Sequence, residues 1–152
     1  MHTHSPPSSV GPSGPQTARR ACLTAILRMS GLRPTRQRLD LADRLLGRDR
    51  HVTAEQLFAE ASRSGRAPSL ATVYNTLRQF QAAGLVRELA FEGMRSVFDT
   101  DTSRHHHFYL ADEPRIVDIP SDQLSVSGLP GVPEGYEIDR VEVVVRLRRK
   151  TV

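Results

Sequence analysis

The stretch SLATVYNTLRQF, residues 69–80, decides the fold because it specifies an amphipathic helix with an unusual exposed face. Its apolar residues recur with the 3.6-residue period of an α-helix and cover about a third of the helical wheel: Leu70, Val73, Leu77 and Phe80. The opposite arc has Tyr74 at its border and carries no carboxylate: Ala71, Thr72, Asn75, Arg78 and Gln79. Hydroxyl, amide and guanidinium groups pair with base edges and phosphates. The pattern therefore predicts a helix that reads the major groove of DNA, the alternative being an ordinary solvent-facing helix.

Three further helices are predicted in front of this one. Thr35 is placed to cap the second helix and Gly47 to end it. Thr53 and Gln56 have the spacing of a capping box at the start of the third. The expected buried faces, in chain order, are Ala21, Leu23, Ile26 and Leu27, then Leu39, Ala42, Leu45 and Leu46, then Leu57, Phe58 and Ala61. A short turn at residues 64–68 joins the third helix to the fourth, which is the spacing of a helix-turn-helix.

Strands are predicted directly after the fourth helix. Residues 85–89 and 96–99 have strand character and flank a turn that contains Gly93. Two strands that follow a recognition helix make the wing of a winged helix. Arg87 and Arg95 lie on this wing, where they either contact phosphate or face solvent.

The charge is distributed unevenly along the chain. Residues 17–95 hold 14 Arg against 7 acidic residues, whereas residues 96–152 hold 7 basic residues against 10 acidic ones. Arg suits bidentate contacts with phosphate and guanine, and a basic front half is typical of a nucleic-acid-binding protein. A general bias of the composition towards Arg would explain the charge equally well.

Composition excludes several classes of protein. The single Cys22 rules out an intramolecular disulfide and a structural zinc site built from CxxC pairs. No run of about 18 apolar residues is present, so we expect no membrane span. Residues 1–16 are rich in Pro, Ser, Gly and His, lack the apolar core of a secretion signal and predict a disordered tail. We therefore expect a cytoplasmic protein.

The stretch HHHFY, residues 105–109, predicts a strand with a binding role. Side chains two residues apart on a strand point the same way, so His105 and His107 aim at one point while His106 faces the other side. Imidazole is the commonest metal ligand in proteins near neutral pH. The alternative is that both histidines are only polar strand residues.

The end of the chain predicts a last strand. Its expected buried residues alternate with polar or exposed ones: Val141, Val143, Val145 and Leu147. The Gly- and Pro-rich residues 128–133 limit any helix before this strand to about two turns, near residues 122–127.

Four motifs together resemble the ferric uptake regulator (Fur) family. They are GLRPTRQR at 31–38, HVTAEQL at 51–57, SLATVYNTL at 69–77 and GLV at 84–86. The resemblance covers about residues 17–119, with a weaker echo at the last strand. HHHFY at 105–109, followed by IVDI at 116–119 with no CxxC between them, is most similar to the iron response regulator (Irr) branch.

The resemblance implies a homodimeric transcription factor of α+β class. Residues 17–99 would form a winged helix that reads an AT-rich palindrome, and residues 100–152 a small α/β domain that dimerises and binds the effector. Tyr74 and Asn75 match base-contacting positions of the family, and Arg33 matches a basic residue that reaches the minor groove. Together with the polar arc of the recognition helix, these positions define the expected DNA-binding residues: Arg33, Thr72, Tyr74, Asn75 and Arg78.

The resemblance also implies a metal site between the two domains. The matching positions start the third helix, end the wing and lie on the first two C-terminal strands: His51, Asp99, His105, His107 and Asp118. Each carboxylate, and His51, has a surface location as its alternative. Mixed imidazole and carboxylate ligands suit Fe2+, Mn2+ or Zn2+. Haem at His105 or His107 is a second candidate, whereas Cys22 is expected in the core of the first helix.

These observations predict a repressor of iron or metal homeostasis that responds to a divalent metal ion or to haem, and not an enzyme. A non-specific nucleic-acid-binding module with incidental histidines is the alternative. A metal-dependent hydrolase is disfavoured because the chain has no HExxH motif and no glycine-rich phosphate loop. The identity of the effector and the sign of its effect on DNA binding both stay open.

Overall fold

The structure, a computed structural model, describes residues 14–65, 68–91 and 93–151. Within them it contains, in chain order, α1 (Pro15–Met29), α2 (Arg36–Leu45), β1 (His51–Thr53), α3 (Ala54–Ser62), α4 (Leu70–Ala82), β2 (Arg87–Leu89), β3 (Val97–Asp99), β4 (His106–Leu110), β5 (Arg115–Ile119) and β6 (Val144–Leu147). The predicted tail at residues 1–16 lies outside the described residues up to position 13, and α1 already begins at Pro15. Parts of the two predicted turns also lie outside them: residues 66, 67 and 92.

The predicted starts of the later helices are confirmed. Thr35, Thr53 and Ser69 cap α2, α3 and α4, and each side chain accepts the backbone N–H three residues on. The capping box is complete, because the side chain of Gln56 also accepts the backbone N–H of Thr53. Gly84 follows α4 with a φ of +72°, in the left-handed region that favours glycine.

The first helix differs from the prediction. Leu23 and Leu27 are buried against α2 and Ile26 is half-buried, but Ala21 and Cys22 are exposed. The expectation that Cys22 lies in the core was therefore wrong. Neighbouring residues on a helix are about 100° apart, so a buried stripe that passes through Leu23 and Leu27 turns Cys22 away from it.

The first sheet has three strands in the order β1-β3-β2, all antiparallel. The wing strands β2 and β3 were predicted, whereas β1 was not. His51 lies on β1 opposite Asp99 rather than at the start of the third helix, so its predicted location was wrong. A three-residue strand is too short to show alternation, and its partner is 48 residues away along the chain.

The second sheet has the order β5-β4-β6, with β4 antiparallel to β5 and parallel to β6. The alternation predicted for the last strand gives only partial burial: Val143 and Val145 are half-buried and Leu147 is 37% exposed. In the segment near residues 122–127, a turn at 121–123, closed by the Gln123 N–H donating to the Pro120 carbonyl, is followed by irregular chain, and the described residues from 93 to 151 contain no helix. Helices confined to the first half and two small sheets agree with the predicted α+β class. Each helix in the described part of the chain is too short or too polar to cross a bilayer.

Arg50 fixes the start of β1. Its guanidinium forms two hydrogen bonds with the Glu60 carboxylate on α3, at 2.6 and 3.1 Å, and donates to the Arg44 carbonyl at 3.0 Å. Its backbone N–H donates to Oγ1 of Thr100, which follows β3. These contacts hold the residue before His51 between a helix and the wing. The hydrogen bonds from Arg50 outweigh partial burial and lower the pKa of Glu60 below its ordinary value.

We predict that Glu60→Gln lowers the free energy of unfolding at pH 7 by about 0.5–1 kcal/mol, because it removes the ionised half of a bidentate pair. A carboxyl with a lowered pKa stabilises the fold above its unfolded pKa and loses that contribution as the pH falls through its folded pKa. The difference from wild type should therefore shrink below about pH 4.5. Urea unfolding at several pH values, at fixed protein concentration, measures it.

The control is Glu134→Gln, which removes an exposed carboxylate from the loop before β6. It should change the stability little at any of these pH values. A Glu60→Gln deficit that stayed constant down to pH 3 would show that the ion pair is not its source.

Candidate metal centre and DNA-facing helix

Five side chains with metal-binding groups meet where the two sheets face each other. One nitrogen or oxygen atom of each lies within 4.8 Å of those of all the others: His51, Asp99, His105, His107 and Asp118. These are the five residues that the resemblance implied. The structure thus brings the whole set together, with ligands from β1, β3, β4, β5 and the residue before β4.

The strand registers explain the convergence. His51 and Asp99 are directly opposed in the first sheet, and His107 and Asp118 are directly opposed in the second. Opposed residues project to the same face of their sheet. Each sheet therefore presents one imidazole and one carboxylate from the same place, and His105 joins them from the face that it shares with His107.

The donor atoms approach one another closely. Nε2 of His51 lies 3.0 Å from Oδ1 of Asp118, and Nε2 of His105 lies 3.0 Å from Oδ2 of Asp99. Nε2 of His107 is 3.3 Å from the same Asp99 oxygen and 3.5 Å from Oδ1 of Asp118. Three ring nitrogens and two carboxylate oxygens thus surround one small volume.

The far side of the His105 ring sets its tautomer. Nδ1 of His105 lies 3.0 Å from the Ser103 carbonyl, which only accepts, so this nitrogen carries the proton and donates it. The His105 ring then turns an Nε2 lone pair towards the cluster, which is the usual arrangement of metal-binding histidines. Nδ1 of His107 lies 2.9 Å from Oε1 of Glu142, but it has no hydrogen-bond partner among the described residues.

His106 behaves differently from its neighbours, as the alternation predicted. Its Nδ1 accepts the backbone N–H of Val143 at 3.1 Å, on the side where β6 joins the sheet. It takes no part in the cluster. His105 and His107 are buried, with 6% and 0% of their surface exposed.

The electrostatics of the cluster centre on Asp99, which is fully buried. Burial opposes its charge, but the hydrogen bond with His107 and the neighbouring imidazole of His51 outweigh that effect and hold the pKa of Asp99 far below its usual range. Burial opposes the positive charge of His51, but the nearby carboxylates of Asp99 and Asp118 outweigh that effect and raise the pKa of His51 above its ordinary value. The centre therefore favours positive charge.

Two orphaned atoms show that the residues fit a metal ion. Nε2 of His51 and Oδ1 of Asp118 are both buried and lie 3.0 Å apart, yet neither has a hydrogen-bond partner among the described residues. They are directed beside each other rather than at each other. A divalent cation bound between them would satisfy both atoms, and a set of three imidazoles and two carboxylates suits Fe2+, Mn2+ or Zn2+.

Sequence reasoning missed two residues of this centre, Arg87 and Glu142. Arg87 was expected to contact phosphate or to face solvent, but its side chain is only 13% exposed and its Nη2 donates to Oδ2 of Asp99 at 2.9 Å. A signal for it existed, because strand alternation places Arg87 on the same face of β2 as the apolar Leu89. Glu142 precedes β6 on an extended segment, and no pattern in the sequence marks it.

Helix α4, the predicted recognition helix, exposes part of the predicted DNA-binding set. Asn75 and Arg78 are exposed, and Thr72 is half-buried with its Oγ1 2.9 Å from Oγ of Ser69. Arg33 is also exposed, in the segment between α1 and α2. The DNA-binding role of these residues remains a prediction.

Tyr74, the other predicted residue, is partly buried and already has a partner. Its hydroxyl donates to Oε1 of Glu55 on α3 at 2.9 Å, and this hydrogen bond raises the pKa of Tyr74. Arg95 of the wing lies 3.2 Å from the same carboxylate oxygen while remaining exposed. Glu55 therefore links α4, α3 and the wing.

Known proteins share this sequence and fold. A sequence model described as the ferric uptake regulator family matches residues 29–145. The peroxide-responsive repressor PerR of Staphylococcus aureus (strain Mu50 / ATCC 700699) is 36% identical over 101 residues, which cover 66% of this chain and 68% of the relative.

Solved structures agree with the sequence match. The ferric uptake regulator of Pseudomonas aeruginosa with manganese superimposes with a TM-score of 0.67 at 28% identity, over 85% of this chain and 98% of the other. The Vibrio cholerae ferric uptake regulator gives a TM-score of 0.65 at 24% identity, over 83% and 98%, which supports the fold. The predicted fold class and family are thereby confirmed, while the Irr branch stays a prediction. The chain belongs to the ferric uptake regulator family, and it is accordingly a DNA-binding transcriptional repressor of metal homeostasis rather than an enzyme.

Proposed function

We propose that this chain is a homodimeric repressor whose affinity for its operator is controlled by a divalent cation, Fe2+, Mn2+ or Zn2+, bound at the interface of the two sheets. The proposed ligands are His51, Asp99, His105, His107 and Asp118. The observation that carries the proposal is the convergence of these five ligand atoms within 4.8 Å from both halves of the chain. A bound cation would neutralise the two carboxylates and accept the lone pairs of the three imidazole nitrogens.

The position of the centre explains how its occupancy reaches DNA. His51 and Asp99 belong to the sheet of the winged helix at residues 17–99, whereas the other three ligands belong to the domain at residues 100–152. Ligands from both units fix the angle between them. Two residues after His51, Thr53 caps α3, and Glu55 on α3 holds the Tyr74 hydroxyl of α4. Coupling of this kind requires two arrangements that bind the cation unequally.

The proposed DNA contacts follow from the exposed face of α4. Asn75 and Arg78 read base edges in the major groove, and Thr72 and Tyr74 contact the DNA beside them. Arg33 reaches the minor groove. A dimer with twofold symmetry requires a palindromic operator, which we propose to be AT-rich. Because the regulator acts on the chromosome, the proposal also locates it in the cytoplasm.

The geometry favours a metal ion over haem. His105 and His107 are almost fully buried, and their ring centroids lie only 4.6 Å apart within the cluster. A porphyrin needs a broad apolar slot beside its axial ligand, and the space beside these rings is taken by carboxylates and a guanidinium. Haem remains the alternative effector to be tested.

A peroxide response is a second candidate function. It is favoured by the S. aureus relative, which is named a peroxide-responsive repressor. Of the candidate cations, Fe2+ reacts readily with peroxide by one-electron chemistry and Zn2+ does not. Hydrogen peroxide should therefore release operator DNA from the Fe2+-loaded protein but not from the Zn2+-loaded protein, and equal behaviour of both would exclude this candidate.

We predict that Asn75→Ala and Arg78→Ala each weaken binding to the selected operator by roughly 5- to 150-fold, because a specific base contact contributes about 1–3 kcal/mol. Both side chains are exposed, so the fold should be unchanged by circular dichroism. Operator selection from random DNA followed by anisotropy titration at fixed salt measures the loss.

The control for this series is Arg148→Ala, which removes the same charge from the exposed C-terminal segment. It should have little effect on operator affinity. Wild-type affinity in Arg78→Ala would count against the assignment of α4 as the recognition helix, and binding without a palindromic consensus would favour a non-specific module.

We predict that the double variant His105→Ala, His107→Ala loses the dependence of operator binding on metal, because two of the five ligands are removed. Titration of metal-free protein with Fe2+, Mn2+, Zn2+ and haem in turn identifies the effector and the sign of its effect. His106→Ala is a matched control from the same strand, whose ring lies outside the cluster, and it should respond like wild type. An unchanged response of the double variant to every effector would contradict the proposed site.

A further inference from the structure

A positively charged side chain is built into the candidate metal centre. The Nη2 atom of Arg87 lies 2.9 Å from Oδ2 of Asp99, 3.1 Å from Nε2 of His105 and 3.4 Å from Nε2 of His107. Arg87 is the Cα partner of Asp99 across β2 and β3, so the strand pairing delivers the guanidinium to this position. Three of the five proposed ligands are thus in contact with one guanidinium nitrogen.

The guanidinium and a metal ion compete for the same electrons. The N–H of Arg87 donates to the Nε2 lone pair of His105, which is the lone pair that a metal ion would use, since Nδ1 holds the proton facing Ser103. The Asp99 oxygen that accepts from Arg87 is also the one nearest to all three imidazoles. Arg stays charged in proteins, so it also repels a divalent cation at this distance.

The other two nitrogens of the Arg87 guanidinium argue against a purely structural role. Its Nε and Nη1 are buried without a hydrogen-bond partner among the described residues. A buried guanidinium retained only for packing would ordinarily satisfy more of its five N–H donors. Its one engaged nitrogen is instead directed at the metal ligands.

An alternative acceptor lies beside the cluster. Oε1 of Glu142 is 3.9 Å from Nη2 of Arg87 and 2.9 Å from Nδ1 of His107. A guanidinium that moves away from Asp99 and His105 can turn towards this carboxylate without leaving the site. The move would at the same time keep a negative group behind the His107 ring.

We propose that Arg87 is the residue that sets the metal affinity of this centre: a tethered cation that a divalent metal ion must displace from Asp99 and His105 in order to bind. The inference rests on the metal site of the proposed function. Arg87 raises the free metal concentration at which the regulator responds. Because it lies on wing strand β2, its displacement also changes the contacts between the wing and the sensor sheet.

The test compares Mn2+ binding by wild type, Arg87→Gln and Arg87→Lys, using full-length metal-free protein and a competing chelator. Arg87→Gln keeps a polar side chain but removes the charge, and should lower the Kd for Mn2+ by roughly ten-fold or more. Arg87→Lys keeps a cationic group on a shorter side chain that shifts its pKa more readily when buried, so it should lower the Kd less than Arg87→Gln does. Arg104→Gln is the control, because Arg104 is exposed one residue before His105 and its loss changes the net charge equally.

Thermal unfolding separates affinity from structure. Metal-free Arg87→Gln should melt below wild type, since the buried Asp99 loses a cationic partner. Its gain in Tm on adding saturating Mn2+ should exceed that of wild type, because tighter binding to the folded state stabilises it more. An arginine with only a structural role would lower the Tm of both forms and leave the gain unchanged.

A Kd for Mn2+ in Arg87→Gln that equals or exceeds that of wild type overturns the inference. If that variant does not fold, NMR of the wild-type protein provides the test: the 15N signals of the Arg87 guanidinium are followed during titration with diamagnetic Zn2+. Signals that shift with the stoichiometry of Zn2+ binding support displacement of the guanidinium. Unchanged signals overturn the inference. If the His105→Ala, His107→Ala variant binds Mn2+ with the affinity of wild type, the proposed site and this inference are both overturned. Binding that requires those histidines but ignores Arg87 overturns the inference alone.

Discussion

The buried carboxylate of Asp99 is the constraint on which the rest of the structure depends. A fully buried charge is tolerated only when it is neutralised and hydrogen-bonded. Asp99 ends β3, where its neighbours across the first sheet are His51 on one side and Arg87 on the other. Its Oδ2 also contacts His105 and His107 of the second unit. The requirement for cationic partners therefore draws both sheets to the same point.

The interface between the two units combines this polar cluster with an apolar contact. Leu89 and Val97 of the first sheet pack with Ile116 of the second. The apolar contact favours association irrespective of any ligand, whereas the proposed metal centre would make the stability of the interface depend on the cation that it contains. The path from there to α4, the proposed recognition helix, is short, because β1 leads into α3 through the Thr53 cap, and Glu55 contacts both Tyr74 of α4 and Arg95 of the wing. The interior of the winged helix is one apolar core.

Much of the DNA-binding half could be predicted from the sequence, because its helices have clear apolar stripes and side chains that cap their first turns. Leu77 and Phe80 are fully buried, and Thr35 and Thr53 cap α2 and α3 at the expected residues. The site residues depended on the family resemblance, since spacing along the chain brings only His105 and His107 together. Strand β1 and the inward position of Arg87 arise from long-range pairing that local periodicity does not contain.

The prediction for the C-terminal half was weaker for a physical reason. Alternation identified the last strand, but its expected buried residues are not fully covered: Leu147 is 37% exposed, and Val141, Val143 and Val145 are half-buried. Alternation reports which residues share a face and not what covers that face. Cys22 shows a similar limit on a helix. An apolar residue next to a buried stripe is easily assigned to the core from the sequence, although its side chain points to solvent.

The central claim is that a single cation binds to both halves of the chain at once. Anomalous diffraction from crystals of the full-length protein grown with Mn2+, recorded at the manganese edge, tests it most directly. We expect one strong peak bounded by Nε2 of the three imidazoles, His51, His105 and His107, and by the carboxylates of Asp99 and Asp118. A manganese peak bound only by residues of the C-terminal sheet, with His51 and Asp99 outside its coordination sphere, would contradict the account.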